Sequence, residues 1–368
     1  MAANFETVQR NRRILLVLTA ILFLSSVFTL SAKFCSSAAR EALDICARSV
    51  IPSLFPFMVL SAIASSVASR ITASGRRVSV LTAAILGSLC GFPVGASVTA
   101  AMYRNGIIPR RRAEYMAGFC NNTGPAFVVD VIGRSFWGSS TAGWMFYICQ
   151  ILSSLILFLL WRLLFRRRAE KQSVTSAPYF DKRKSSAVFI DQQNAADIFC
   201  GAVSSSSASV IRICGYIVFF YVTLRLIEVP LAFLRAPQLV FAGISAVLEF
   251  TTGTSVAASV GGHTGVMLCA FSLGFSGISV MAQSSGILTS VGLSPSPMFR
   301  LKLCEGVICS LLSLVAADIF DISSPASAGA VCAFPRQVSV IPSAVSLTLI
   351  FIWLAALIVR RVTSAQNT

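Results

Sequence analysis

The chain has 368 residues, 55% of them hydrophobic and 12% charged, with a mean hydropathy of +0.79. Soluble domains carry roughly 25% charged residues, so this composition excludes an ordinary cytosolic enzyme, a disordered chain and a secreted disulfide scaffold. The 30 Lys and Arg against 14 Asp and Glu leave a net charge of +16, and these basic residues cluster between apolar runs as cytoplasmic loops do.

In chain order, Arg10, Arg12 and Arg13 precede an apolar run over 14–30. It reads as a retained first crossing rather than a cleaved signal, because many further spans follow. The stretch 33–50 mixes Arg40, Glu41, Asp44 and Arg48 with Ala38, Ala42, Leu43, Ile45 and Cys46. That mixture predicts an amphipathic helix lying at the membrane interface. Residues 52–68 predict a second crossing. The apolar segment 78–103 is interrupted by Gly91-Phe92-Pro93-Val94-Gly95 and has basic residues on both flanks, Arg70, Arg76 and Arg77 before it and Arg104, Arg110, Arg111 and Arg112 after it. Two cytoplasmic flanks predict a re-entrant hairpin turning at the Gly-Pro-Gly run. Residues 114–133 cross next, broken at Asn121-Asn122-Thr123-Gly124-Pro125, and 140–160 returns to the most basic loop, 162–184.

The second half follows the same plan. Ala195-Ala196-Asp197-Ile198-Phe199-Cys200 echoes Glu41-Ala42-Leu43-Asp44-Ile45-Cys46, so 194–209 is expected to be a second interfacial helix. Residues 210–227 cross. The segment 238–260 is broken around Thr251-Thr252-Gly253-Thr254, and 264–288 at Gly274-Phe275-Ser276-Gly277. Residues 301–317 and 341–359 complete the set. The expected architecture is an all-α polytopic membrane protein of about eight crossings plus two re-entrant hairpins, arranged as two inverted repeats with broken helices. The halves are 1–165 and 194–368, joined by a basic cytoplasmic linker over 166–193, with both termini cytoplasmic. This places Lys33, Arg40, Arg48, Arg134, Arg225, Arg235 and Arg336 outside and every other Lys and Arg inside.

Irregular backbone at membrane depth leaves polar groups unpaired, at several kcal/mol each in lipid, unless protein or a wet cavity covers it. Interruptions at matching places in two halves are the best sequence pointer to a transporter binding site. Half-helix N-termini there offer amides and a positive dipole end to carboxylate or phosphate groups. The candidate solute-contacting residues are Gly91, Phe92, Pro93 and Gly95 at the first break and Asn121, Asn122, Thr123, Gly124 and Pro125 at the second. They continue with Glu249, Thr251, Thr252, Gly253 and Thr254 at the third and Ser276, Gly277, Gln283 and Ser284 at the fourth. Competing readings stand beside these. Gly87, Gly91 and Gly95 form GxxxG steps suited to close helix packing, the asparagines suit helix–helix hydrogen bonding, and Glu249 suits either a coupling cation or proton or an ion pair with Arg212 or Arg225. Asp130 and His263 lie near segment ends and read as interfacial.

The 11 Cys include no CxxC pair and His263 is the only histidine, so zinc and iron–sulfur ligand spacings are missing. No P-loop, GxSxG or HExxH motif is present. Neither an enzyme nor a cofactor is expected, and no basic–aromatic domain is available to hold a nucleic acid.

Pro52-Ser53-Leu54-Phe55-Pro56-Phe57, Gly91-Phe92-Pro93-Val94-Gly95-Ala96, Asn121-Asn122-Thr123-Gly124-Pro125-Ala126-Phe127 and Leu248-Glu249-Phe250-Thr251-Thr252-Gly253 together resemble the sporulation integral membrane protein family of YlbJ type. The resemblance runs from about residue 38 to 315. It implies a nucleoside-recognition (Gate) domain and an architecture similar to concentrative nucleoside transporters. It further implies movement of dipicolinate, an aromatic dicarboxylate, across the outer forespore membrane where the source makes spores. The expected partners are a small anionic solute, the lipid bilayer and, as Gate folds often do, further copies of the chain. The alternatives are nucleoside or nucleobase transport, and a non-transporting membrane protein needed for spore envelope (cortex) assembly.

Overall fold

A computed structural model describes residues 18–19, 21–22, 25–73, 85, 87–89, 91–104, 106–169 and 194–322. The expected last crossing over 341–359, almost all of the linker 166–193 and residues 78–84 of the first hairpin lie outside the described residues.

Among the described residues every regular element is helical. In order they are α1 (Ala32–Ile45), a π-helical turn (Cys46–Val50), α2 (Ile51–Ala73), α3 (Val94–Arg104), α4 (Arg110–Phe119), a π-helical segment (Phe127–Phe136) and α5 (Ser140–Ala169). After the linker come α6 (Ala195–Phe233), α7 (Gln238–Leu248), α8 (Phe250–Val260), α9 (Gly262–Phe275), α10 (Gly277–Ser290) and α11 (Ser296–Ile319). Proline sets several of the starts. Pro109 and Pro237 stand immediately before α4 and α7, and α11 carries a proline in its first turn, where the missing N–H costs nothing.

Four stretches among the described residues are long and apolar enough to cross a membrane: Ala32–Leu60, Ser140–Leu163, Ala196–Phe233 and Gly262–Ser290. Two of them change the expected layout. The stretch read as an interfacial helix over 33–50 and the crossing over 52–68 run on from one another, joined by the π turn rather than by a break. Likewise 194–209 and 210–227 form the single 39-residue helix α6. At neither junction does the chain leave the helix or reverse its direction.

The chain divides into two compact units. The smaller takes residues 1–41, 222–236 and 335–368. Within it Arg225 is nearly enclosed, held 2.5 Å from Glu228 and 3.9 Å from Glu41, with its guanidinium over the Phe34 ring. The larger unit, 42–221 and 237–334, carries the main core. Trp137, Phe146, Ile132, Leu273, Val266 and Cys269 are all fully or almost fully buried there. A second cluster joins Met102, Met116, Met281, Leu288 and Met298. In this unit α9 packs on α8 and α11, α11 on α4 and α5, and α10 on α3.

Glycine makes the closest of these contacts possible. A Cβ added to Gly95 would stand 1.7 Å from the Cys120 carbonyl oxygen, and one added to Gly87 1.8 Å from the same atom. Gly95→Ala is therefore expected to destabilise the protein by about 3 kcal/mol. Gly243→Ala within α7 meets nothing within 4 Å and is expected to be neutral or to gain about 1 kcal/mol. Thermal unfolding of the two variants in detergent checks the contrast.

Candidate functional site

The larger unit contains four places where helix gives way at depth. At the first, Gly91 adopts φ +77° and the Phe92–Pro93 peptide is cis, after which α3 begins at Val94. The second runs from Cys120 to Gly124, between α4 and the π segment, and Asn121, Asn122, Thr123 and Gly124 are all buried. The third is Glu249 alone, extended at φ −139° and ψ 123° between α7 and α8. The fourth is Ser276, left-handed at φ +71°, followed by Gly277 at φ +69° between α9 and α10.

The third break thus lies earlier than the sequence suggests. Thr251, Thr252, Gly253 and Thr254 are helical, in the first turns of α8. The reason is a cap: the Glu249 carboxylate accepts from the Thr251 N–H at 3.0 Å and the Thr252 N–H at 2.6 Å. It satisfies two of the orphan donors of the new helix and sits at the positive end of its dipole. Thr254 donates back to the Phe250 carbonyl, and Gly253 lets α8 approach the Ala246 backbone of α7. Glu249 is 2% exposed, and its hydrogen-bond partners are backbone amides rather than arginine.

Within each half the two breaks touch. A Cβ on Gly91 would stand 2.9 Å from the Gly124 nitrogen, and one on Gly277 would stand 2.9 Å from the Phe250 nitrogen. Both glycines hold the left-handed conformation that other residues rarely adopt. Across the halves, Asn121 Nδ2 donates to Ser284 Oγ at 2.8 Å. Gln150 on α5 reaches Thr123 Oγ1 and the Leu273 carbonyl, both at 3.3 Å. Phe250 packs its ring against Phe92 and Phe127, with centroids 5.3 and 5.2 Å away.

These contacts enclose a cavity of about 20 Å³, enough for a single water by volume. Gly91, Phe92, Thr123, Gly124, Glu249, Thr251 and Gln283 line it, joined by Phe127, Phe250, Ser279 and apolar residues including Ile213 and Ile217. The remaining candidates stand behind the wall. Pro93 and Gly95 belong to the packing of α3, and Asn121 and Ser284 bond one another. Asn122 faces away into a charged cluster, and Pro125 begins the helical turn that leads into the π segment. Thr252, Gly253 and Thr254 build α8, while Ser276 and Gly277 form the turn before α10. Asp130 and Arg134 form an exposed pair at 3.1 Å, and His263 lies exposed 3.7 Å from Asp318. Among the described residues no group of three His, Cys, Asp or Glu could hold a metal ion.

Two further features lie at the breaks. Ser279 lines the cavity, 1% exposed, and its Oγ, like that of Ser276, has no hydrogen-bond partner among the described residues. The α10 N-terminus therefore lacks the side-chain cap that closes α8. Behind the second break, Lys302 and Glu305 of α11 are fully buried and paired at 3.0 Å. Charge counting places Lys302 in a cytoplasmic loop. A lysine three residues before a glutamate, inside an otherwise apolar run, is the sequence signal of this pair.

The chain is similar to the sporulation integral membrane protein YlbJ of Bacillus subtilis (strain 168), 26% identical over 334 residues that cover 82% of each chain. That likeness supports a place in the YlbJ-type sporulation membrane family. No protein-family model matches the chain, and no solved structure matches it.

Glu249→Gln replaces a two-oxygen acceptor by one oxygen and an NH2 group, so one amide of the first turn of α8 loses its partner. The expected cost is about 1–3 kcal/mol, read as a lower unfolding temperature in detergent. Asp130→Asn, at the exposed pair with Arg134, serves as the comparison and is expected to be close to neutral.

Proposed function

We propose, from the likeness to a sporulation integral membrane protein and from the meeting of four chain breaks on one cavity, that this protein moves a small organic anion across a membrane during sporulation. Dipicolinate is the preferred cargo where the source makes spores, and the outer forespore membrane is the proposed location. The four membrane-length apolar stretches and the family likeness support an integral membrane protein. The way the two breaks of each half meet through a left-handed glycine supports the inverted-repeat reading, with both termini cytoplasmic and the Gate-type architecture as its frame. Further copies of the chain remain part of the proposal.

The observation that carries the reading is the chemistry brought together at the cavity. The start of α10, which carries no side-chain cap and whose Ser279 hydroxyl lines the cavity without a partner, is a receptor for a carboxylate. Gln283 adds an amide donor from the same helix. Phe92, Phe127 and Phe250 supply ring faces and edges for an aromatic body. The α8 end is closed by Glu249 and does not offer its first amides to a second anion. An aromatic dicarboxylate would meet donors at one end and rings along its side. At about 20 Å³ the site is shut around less than its cargo, so uptake requires the breaks to separate.

Uptake of labelled dipicolinate into proteoliposomes tests this. Saturable, protein-dependent flux is expected. Ser279→Ala is expected to raise KM by roughly 10-fold, the scale of one hydrogen bond to a charged group. Absence of protein-dependent flux overturns the reading. Competition by uridine or adenosine, but not by other dicarboxylates, transfers it to nucleosides. Spore-cortex function that survives Ser279→Ala and Asn121→Ala but is lost on deleting 170–190 transfers it to envelope assembly.

A further inference from the structure

The buried charges of α11 belong to a closed ring of four side chains. Lys302 Nζ donates to Asn122 Oδ1 at 2.8 Å and to Glu305 Oε2 at 3.0 Å. Asn122 Nδ2 donates to Ser154 Oγ at 3.0 Å. Ser154 in turn donates to Glu305 Oε1 at 3.0 Å. All four residues are buried, with Lys302, Glu305 and Asn122 at 0% exposure.

Stability alone does not account for such a pair. Taking two charges out of water costs several kcal/mol each, and well-packed apolar replacements of buried pairs are often neutral or stabilising. The location of the ring is more telling. Its one member outside a helix is Asn122, whose chain neighbours Thr123 and Gly124 form part of the cavity wall. Asn122 also donates to the Phe119 carbonyl at 3.1 Å, at the end of α4. The same turn of α11 presses on α9 of its own half. A Cβ on Gly274 would stand 2.8 Å from the Glu305 carbonyl oxygen, two residues before the fourth break.

We infer that Lys302 and Glu305 are a positioning pair: through Asn122 and Ser154 they hold the second break in register, and so fix Thr123 and Gly124 against the cavity without touching the cargo. The inference rests on the transport reading only for its effect on flux. Its structural consequence can be measured with no cargo present.

The test combines amide hydrogen exchange with transport. Lys302→Met/Glu305→Leu removes both charges while keeping apolar bulk. Exchange at 121–128 is expected to rise by about 10-fold or more, with α5, α9 and α11 still protected and the unfolding temperature in detergent retained. KM for labelled dipicolinate is expected to rise in parallel. Unchanged exchange at 121–128 overturns the inference, as does a general rise across all helices, which would mark a purely structural pair. If the double variant yields no folded protein, Ser154→Ala opens the ring at an uncharged member. The same local rise is expected there, with recovery in Ser154→Thr, which keeps the hydroxyl. Unchanged exchange in Ser154→Ala overturns the inference. If the wild type moves no dipicolinate, the transport reading falls while the exchange measurement still decides this one.

Discussion

Backbone that leaves a helix inside a bilayer must find partners for its N–H and C=O groups within the protein. That demand organises the larger unit. At the third break one side chain meets it, because the Glu249 carboxylate takes two amides at once. At the others, segments are brought so close that lipid has no access. Gly91 lies on Gly124, Gly277 on Phe250, and Gly87 and Gly95 on the Cys120 carbonyl. The hydrogen bonds of Asn121, Asn122 and Gln150 then tie these segments to α5, α10 and α11. The core of large apolar side chains surrounds this polar interior rather than replacing it.

The two helix starts in the second half show how the same demand yields opposite chemistry. Both α8 and α10 begin in the middle of an apolar stretch. One begins with an acid that turns back on its own amides; the other begins with a left-handed serine whose hydroxyl is not used for capping. A carboxylate supplied by the chain occupies the first site. The second remains suited to a carboxylate supplied by something else. Glu249 thus takes for itself the amides that an outside carboxylate would otherwise meet at α8.

How much of this could be read from the sequence depended on the residue that makes each break. Gly-Phe-Pro-Val-Gly and Asn-Asn-Thr-Gly-Pro announce themselves, because glycine, proline and adjacent amides all disfavour an apolar helix, and the structure interrupts the chain at both. Ser276 was legible through Gly277. Glu249 stands out in the sequence as a membrane carboxylate, but the spacing points to the threonines after it, since the capping role depends on a backbone geometry that spacing does not reveal. The continuous helices over 32–60 and 196–233 are obscured by charged residues at 33–50 and 194–209 that mimic an interfacial face, and Arg225, which the charge count places outside, finds Glu228 and Glu41. Lys302 was hidden by its nearness to a basic loop. Counting charges by segment treats every lysine near a span end as solvated, and only the pairing with Glu305 separates this one.

The backbone-to-backbone seams at Gly91–Gly124 and Gly277–Phe250 have a mechanical consequence. A gate made of side chains swings by changing rotamers, within nanoseconds and with the main chain at rest. A seam between main chains has no such hinge. Parting it displaces a whole hairpin or half-helix as a rigid piece, on the microsecond-to-millisecond scale of collective motion. Any opening of this interior is accordingly paced by the slow sliding of stiff rods rather than by the flicker of a lid.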